Sequence, residues 1–283
     1  MEKDWIVETE GLCYTYEGGT QKALDHVDLR LRRGSRTAFM GGNGSGKSTL
    51  FLCLNGIRRP DSGEIRIGGK PIEYTRRGLM DVRRRVGVVF QEPDNQLFSA
   101  SVYQEISFGI LNLGTEEEQA RREVEQVIRE LGIMSFQDRP AHALSGGEKK
   151  LVAIADILVM HPEVMILDEP ASSLDPKHRK KVREITEGLT EKGITVLMAT
   201  HDVDYAYSWA DEIILMQEGR VIRQGTPLQV FSDRAALEAA GLEMPAVLRI
   251  WENMKKRERI LSEEAPPRNL EELEQFLCAG TVS

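Results

Sequence analysis

Cysteine is scarce in this 283-residue chain: Cys13, Cys53 and Cys278 are odd in number and widely scattered, with no metal-ligand spacing. That excludes a disulfide framework and points to a reducing compartment. No apolar run approaches the length of a membrane span, and the opening Met1-Glu2-Lys3-Asp4-Trp5 does not read as a secretory leader. Any membrane role is therefore expected to be peripheral, through another protein. Positive charge is not in excess either, since the formal net charge is −8. This weighs against a general nucleic-acid binder, which must neutralise phosphates with a basic surface. Basic clusters at Arg83-Arg84-Arg85 and Lys255-Lys256-Arg257 sit among abundant acids and read as solvated faces. There are no internal repeats and no low-complexity tract. The remainder, 41% hydrophobic and 29% charged, suits an ordinary soluble core, and the length suits one large α/β domain with a smaller appendage.

The stretch Gly41-Gly42-Asn43-Gly44-Ser45-Gly46-Lys47-Ser48-Thr49 is a complete G-x-x-x-x-G-K-[ST] phosphate-binding loop. Its glycines let backbone N–H groups approach closely spaced negative charge. Lys47 adds a cation for the β- and γ-phosphates, and the Ser48 hydroxyl can ligate Mg²⁺. The flanks fit: Thr37 to Met40 is a short apolar run suited to a buried strand, and Ser48 to Leu54 can open a helix whose N-terminus favours an anion.

Around this loop the chain reads as an α/β protein. Residues 5–40 alternate like strands, with Gly18-Gly19 as a turn. Pro60 to Gly63 is a turn, and Gly68-Gly69 joins Glu64–Ile67 to Lys70–Ile72 as a hairpin. Val86 to Phe90, Val164 to Leu167 and Thr195 to Met198 read as buried strands, the last two as central parallel ones. Thr115-Glu116-Glu117-Glu118 reads as a capping box opening a helix with Val124, Val127, Ile128 and Leu131 on one face. Asp175-Pro176 opens another, lined by Val182, Ile185 and Leu189. Ile213–Met216 and Val221-Ile222 form a hairpin. From Thr226 short helices are expected: one carries Val247, Trp251 and Met254 and is broken by Pro266-Pro267. A last helix, capped by Asn269 and Glu272, carries Leu270, Leu273, Phe276 and Leu277.

Two further motifs bear chemistry. In Val164-Met165-Ile166-Leu167-Asp168-Glu169-Pro170 a buried strand delivers carboxylates to its C-terminal edge, where α/β ligands sit. Asp168 is expected to hold Mg²⁺, and Glu169 to orient or deprotonate an attacking water. Leu144-Ser145-Gly146-Gly147-Glu148 opens an apolar helix and makes a second anion-ready N-terminus. One nucleotide rarely needs two such sites in one chain, so this one is expected to cap a γ-phosphate held by a partner chain.

Phosphate loop, Leu-Ser-Gly-Gly-Glu and the Asp-Glu strand, in this order over about residues 5 to 225, resemble the nucleotide-binding subunit of ABC transporters. The resemblance implies the P-loop NTPase fold of that family: a parallel core sheet, an antiparallel β subdomain, a helical signature subdomain at about 92–160, and here a helical or dimerisation region at 226–283. It implies ATP and Mg²⁺ as ligands, Tyr16 stacking on adenine (Tyr14 being the less favoured choice), and Gln91 contacting Mg²⁺ and water. Asp175, in Ser172-Ser173-Leu174-Asp175, would lie in the loop crossing a dimer interface, and His201 would be the switch at the γ-phosphate.

The run Gln91-Glu92-Pro93-Asp94-Asn95-Gln96-Leu97-Phe98, followed by Val102, Glu105 and Phe108-Gly109, is similar to the ATPases of energy-coupling-factor importers, notably the cobalt type. This implies a second ATPase subunit, identical or merely related, and membrane partners: a transmembrane scaffold and a substrate-binding subunit. The scaffold's arginine-bearing helices would enter a groove near Gln91, received by Glu92, Asp94 or Glu105. It also implies work at the cytoplasmic face of the cell membrane on cobalt, nickel or a vitamin. Three positions depart from the family pattern: Glu148 replaces a glutamine, Leu151 an arginine and Asp156 a small residue. The competing class is a soluble ABC-type ATPase acting on nucleic acid or ribosomes. Only 98 residues separate Lys47 from Ser145, however, too few for the long insertion of such proteins, and only one cassette is present. A regulatory module that holds ATP without turnover would not need Glu169 and His201.

Overall fold

Strands lead and helices follow. The computed structural model describes residues 4–257 and 264–279, so Met1, Glu2 and Lys3 of the opening segment lie outside it. In chain order come β1 (Trp5–Thr15), β2 (Lys22–Arg32), β3 (Arg36–Met40), α1 (Lys47–Leu54), β4 (Ser62–Ile67), β5 (Lys70–Pro71), α2 (Arg76–Arg85) and β6 (Val86–Val89). Then follow α3 (Val102–Asn112), α4 (Glu117–Leu131), α5 (Gly146–Leu158), β7 (Val164–Asp168), α6 (Pro176–Glu191), β8 (Thr195–Ala199), α7 (Val203–Trp209), β9 (Glu212–Gln217) and β10 (Arg220–Gly225). The chain closes with α8 (Pro227–Phe231), α9 (Arg234–Ala240), α10 (Ala246–Lys256) and α11 (Leu270–Ala279).

Two sheets result. One has the order β2-β1-β4-β5 and is antiparallel; the other has the order β10-β9-β3-β8-β7-β6 and is parallel except for β10. Side chains of a strand alternate between faces, and both faces of the parallel sheet are covered. Val164 and Ile166 of β7, Leu197 of β8 and Phe39 of β3 pack into the layer against α1 and the antiparallel sheet. Met165, Leu167, Met198, Ala38 and Met40 pack the other way, against α3, α4, α5 and α6. This two-sided burial explains why the central strands read as unbroken apolar runs. Among the described residues no helix is long and apolar enough to cross a membrane.

Several expectations shift. Helix α4 is capped by Glu116, whose carboxylate accepts from the N–H groups of Glu118 and Gln119; Thr115 is not the cap. A carboxylate answers the helix dipole better than a hydroxyl does. Ser62 already belongs to β4, so the turn is shorter than Pro60–Gly63. Helix α10 ends at Lys256, well before Pro266-Pro267. Arg85 is no solvated bystander: it binds Glu163 and donates to the Ile67 carbonyl.

The tail packs on the main core, through Val230, Phe231, Leu237, Val247, Trp251 and Leu273. Arg268 stitches it to the end of α7 by donating to the carbonyls of Ser208 and Ala210. On α11, Leu273 is buried and Phe276 packs edge-on against Trp251 at 4.9 Å, whereas Leu270 and Leu277 are exposed.

Candidate active site

Strands β3, β7 and β8 lie side by side and end together. The loops leaving their C-terminal ends carry the phosphate loop, the Asp168-Glu169 pair and His201, the expected place for a ligand in an open α/β sheet. One cleft of about 330 Å³ is lined by Tyr16, Ala23, Asn43, Gly44, Ser45, Gly46, Lys47, Ser48, Thr49, Gln91, Asp168, Glu169 and His201. Every expected catalytic and metal-binding side chain lies here.

The glycines have two different reasons. Gly41 and Gly46 have φ of +140° and +103°. A Cβ at Gly41 would stand 2.1 Å from the Met216 carbonyl oxygen, and one at Gly46 2.6 Å from that of Ala23. These two are needed for packing against β9 and β2. Gly42 and Gly44 have no atom within 4 Å of where a Cβ would stand, and Gly44, with φ +78°, lines the cleft. Lys47 is buried and folds inward, its Nζ donating to the carbonyls of Gly41 at 2.8 Å and Gly42 at 3.1 Å and to Ser45 Oγ at 3.1 Å. Burial lowers its pKa, while the Glu169 and Asp168 carboxylates work the other way.

Glu169 follows the end of β7 with φ +47°. A left-handed non-glycine residue costs about 1–3 kcal/mol and tends to sit at functional sites. Its N–H is held by the Ala199 carbonyl, and its own carbonyl takes the N–H and hydroxyl of Ser172. Burial, and then the adjacent Asp168 charge, push its carboxyl up to about 7. His201 Nε2 stands 3.3 Å from Glu169 Oε1, yet that buried oxygen makes no aligned hydrogen bond. A carboxyl whose pKa is raised toward neutrality and which keeps an oxygen free of hydrogen bonds is suited to take a proton from water. The His201 pKa is lowered by burial and then by Lys47. The Ser48 hydroxyl, the Asp168 carboxylate and the Gln91 amide are hard donors, few in number, of the kind Mg²⁺ takes when phosphates and waters complete its shell.

Tyr16 is 42% exposed at the rim; its hydroxyl lies 3.0 Å from Thr49 Oγ1 and its ring packs edge-on against Tyr14. Tyr14 is buried, so of the two tyrosines it is Tyr16 that lines the cleft.

Ser145, Gly146, Gly147, Glu148 and Asp175 do not line this cleft. Of these, Gly147 and Asp175 meet at His178 instead. A Cβ at Gly147 would meet the His178 ring at 2.2 Å, and His178 Nδ1 lies 2.5 Å from Asp175 Oδ2. Asp175 also caps α6, accepting from the N–H groups of Lys177 and His178.

The family model described as ABC transporter matches residues 24–172. The chain belongs to the ABC transporter ATPase family. Its relative EcfA3 of Clostridium perfringens, an energy-coupling factor transporter ATP-binding protein, is 44% identical over 93% of this chain and 92% of that protein. Among solved structures, cbiO1 from Clostridium perfringens, part of the ABC transporter complex cbiONQ, superposes with a TM-score of 0.74. It is 44% identical over 89% of this chain and 100% of that one. A dimeric ATP-binding cassette in a post-hydrolysis state, bound to ADP and Pi, gives a TM-score of 0.72 at 27% identity, over 78% of this chain and 99% of that one. This ABC ATPase is thus of the energy-coupling-factor type: it hydrolyses ATP and serves a membrane importer.

Two of the three family departures, Glu148 and Leu151, have local explanations, and nothing in the structure explains the third, Asp156. Glu148 completes a capping box with Ser145, and Arg139 Nη1 lies 3.1 Å from its carboxylate, which offsets the added charge. Leu151 is buried in the core. Asp156 has one buried carboxylate oxygen without a hydrogen-bond partner, and burial, then the Glu105 charge, raises its pKa.

Lys150 was not expected. Its side chain is 1% exposed, and Nζ donates to the carbonyls of Phe90 at 2.9 Å and Gln91 at 2.8 Å. Helix α5 is thereby tied to the segment that carries Gln91 in the same chain. The available signal was a cation set on an apolar helical face between Gly147 and Leu151.

Proposed function

We propose that this ABC ATPase works as a pair, with ATP held between the phosphate loop of one copy and Ser145–Glu148 of its partner. The supporting observation is the division of the machinery: the cleft gathers Tyr16, Lys47, Ser48, Gln91, Asp168, Glu169 and His201 and leaves out Ser145–Glu148 and Asp175. The partner is a second copy or a related chain. Tyr16 stacks on adenine and Lys47 turns from its carbonyls to the β- and γ-phosphates. Ser48, Gln91 and Asp168 hold Mg²⁺, which supplies neutralising charge to the phosphates. Glu169 takes a proton from the attacking water, and His201 keeps the γ-phosphate in line.

Movement passes to a membrane scaffold through the face after Gln91. Phe98 and Phe108 pack edge-on at 5.0 Å and remain 68% and 49% exposed, with Leu111 beside them on α3. Of the acids expected there, Asp94 pairs with Lys149 at 2.5 Å and Glu92 accepts from Asn95, both exposed. Glu105 is buried and accepts the backbone N–H of Phe98, so it shapes the face from within. Glu92 and Asp94 therefore remain the acids for a scaffold arginine. The assembly lies at the cytoplasmic face of the cell membrane and, with a substrate-binding subunit, imports cobalt, nickel or a vitamin. Coexpression with an energy-coupling-factor scaffold subunit tests this. The parent is expected to copurify from membranes and Phe98→Asp to be lost, with the ATPase fold intact by circular dichroism. Equal recovery of both would refute the docking face.

A further inference from the structure

Cys13, Asp25 and His26 meet where β1 pairs with β2. Leu12 pairs with Val27 and Tyr14 with Leu24, so Cys13 alone stands opposite both Asp25 and His26. That is a β-bulge, a device that re-aims side chains, and His26 bears it with φ +52°. One ligand atom from each residue, the thiol sulfur, a carboxylate oxygen and a ring nitrogen, lies within 4.8 Å of the others. The His26 backbone N–H donates to Cys13 Sγ at 3.3 Å, and His26 Nδ1 lies 2.8 Å from Asp25 Oδ1. The two oxygens of Asp25 have separate tasks. Oδ2 holds Arg220, with Nε at 2.7 Å, while Oδ1 faces the group. A cation already stands there: Lys22 Nζ is 2.7 Å from Asp25 Oδ1 and 3.8 Å from Cys13 Sγ. The Lys22 side chain is 46% exposed and can swing into water.

We propose that Cys13, Asp25 and His26 bind a borderline-soft divalent transition ion of the zinc or cobalt(II) kind, whose place the Lys22 ammonium takes when the ion is away. Thiolate with imidazole selects such ions over Mg²⁺ and Ca²⁺, which prefer oxygen alone. One sulfur, one nitrogen and one oxygen leave a fourth tetrahedral position for water. Binding forms the metal–sulfur bond, releases the thiol proton to solvent and moves the Lys22 ammonium outward; no electron changes hands. The site adjoins the nucleotide cleft, because Ala23, two residues before Asp25, lines that cleft and Tyr16 follows Cys13 on the same stretch. A bound ion would brace the strand pair that carries the adenine platform.

Cobalt(II) titrated into the full-length, tag-free protein without nucleotide provides the test. A thiolate-to-cobalt charge-transfer band separates this site from the Asp168 cluster, which contains no sulfur, and Cys278→Ser separates it from the exposed thiol. We expect one ion per chain, a band abolished by Cys13→Ser and kept in Cys278→Ser. His26→Asn, which tolerates the left-handed backbone, should weaken binding at least tenfold. Lys22→Met should tighten it about two- to fivefold by removing the competing exposed ion pair. A band that survives in Cys13→Ser would overturn the site. Parental cobalt affinity in both His26→Asn and Lys22→Met would do the same and mark the ion as adventitious.

Discussion

Replacing Lys150 with methionine removes a buried cation and keeps most of its volume. Burial lowers the Lys150 pKa from 10.5 to about 8. At roughly 1.4 kcal/mol per unit, charging it in place costs about 3 kcal/mol relative to water. Its two charge-assisted hydrogen bonds to the Phe90 and Gln91 carbonyls contribute about 1.5–3 kcal/mol each. Lys150→Met loses both contributions, so near pH 7 the variant should be about 0–3 kcal/mol less stable. The pH dependence is sharper. Between about 8 and 10.5 the unfolded chain keeps the Lys150 proton while the folded chain has released it, so the parent gains stability as pH rises. The variant has no such gain. The gap between them should widen by about 2 kcal/mol from about pH 7.5 to 10. Urea unfolding of both proteins, free of nucleotide and divalent ions, at several pH values measures it. A gap that stays constant would refute the account of Lys150 as a buried ammonium clamping the segment that carries Gln91.

Two other outcomes follow from the cleft. Glu169→Gln keeps the shape and loses the base, so phosphate release should fall about 10²–10⁴-fold, while light scattering records a dimer that persists in ATP; turnover at the parental rate would remove the assignment. Tyr16→Ala should weaken ATP binding about five- to 150-fold, the range of base–aromatic stacking, and Tyr16→Phe should stay within a few-fold, both read by competition with a fluorescent nucleotide.

The parallel strands were legible in sequence because burial on both faces leaves uninterrupted apolar runs, as in Val164–Leu167 and Thr195–Met198. The phosphate loop was legible because its spacing follows from one backbone path. Helix α2 was not, since Arg76, Arg77, Arg83, Arg84 and Arg85 hide its period, Gly78 interrupts it, and only Val82 is buried. Helix α3 is legible only as separate positions, because its apolar residues split between the core, with Val102 and Ile106, and open solvent, with Phe108 and Leu111. Of the site, residue types were readable and grouping was not. Nothing in Ser145–Glu148 or Asp175 shows that Gly147 rests on the ring of His178. The role of Lys150 is not legible, because a lysine near a helix start ordinarily faces water.

The placement of Ser145–Glu148 away from the cleft also bears on how idle copies behave. On the proposed pairing, a solitary copy adrift in the cell can hold ATP without consuming it, because hydrolysis waits on an encounter. A membrane scaffold that seats two copies side by side raises their local concentration, and with it the rate of encounter. Fuel consumption would then be confined to assembled importers, with no separate inhibitor required.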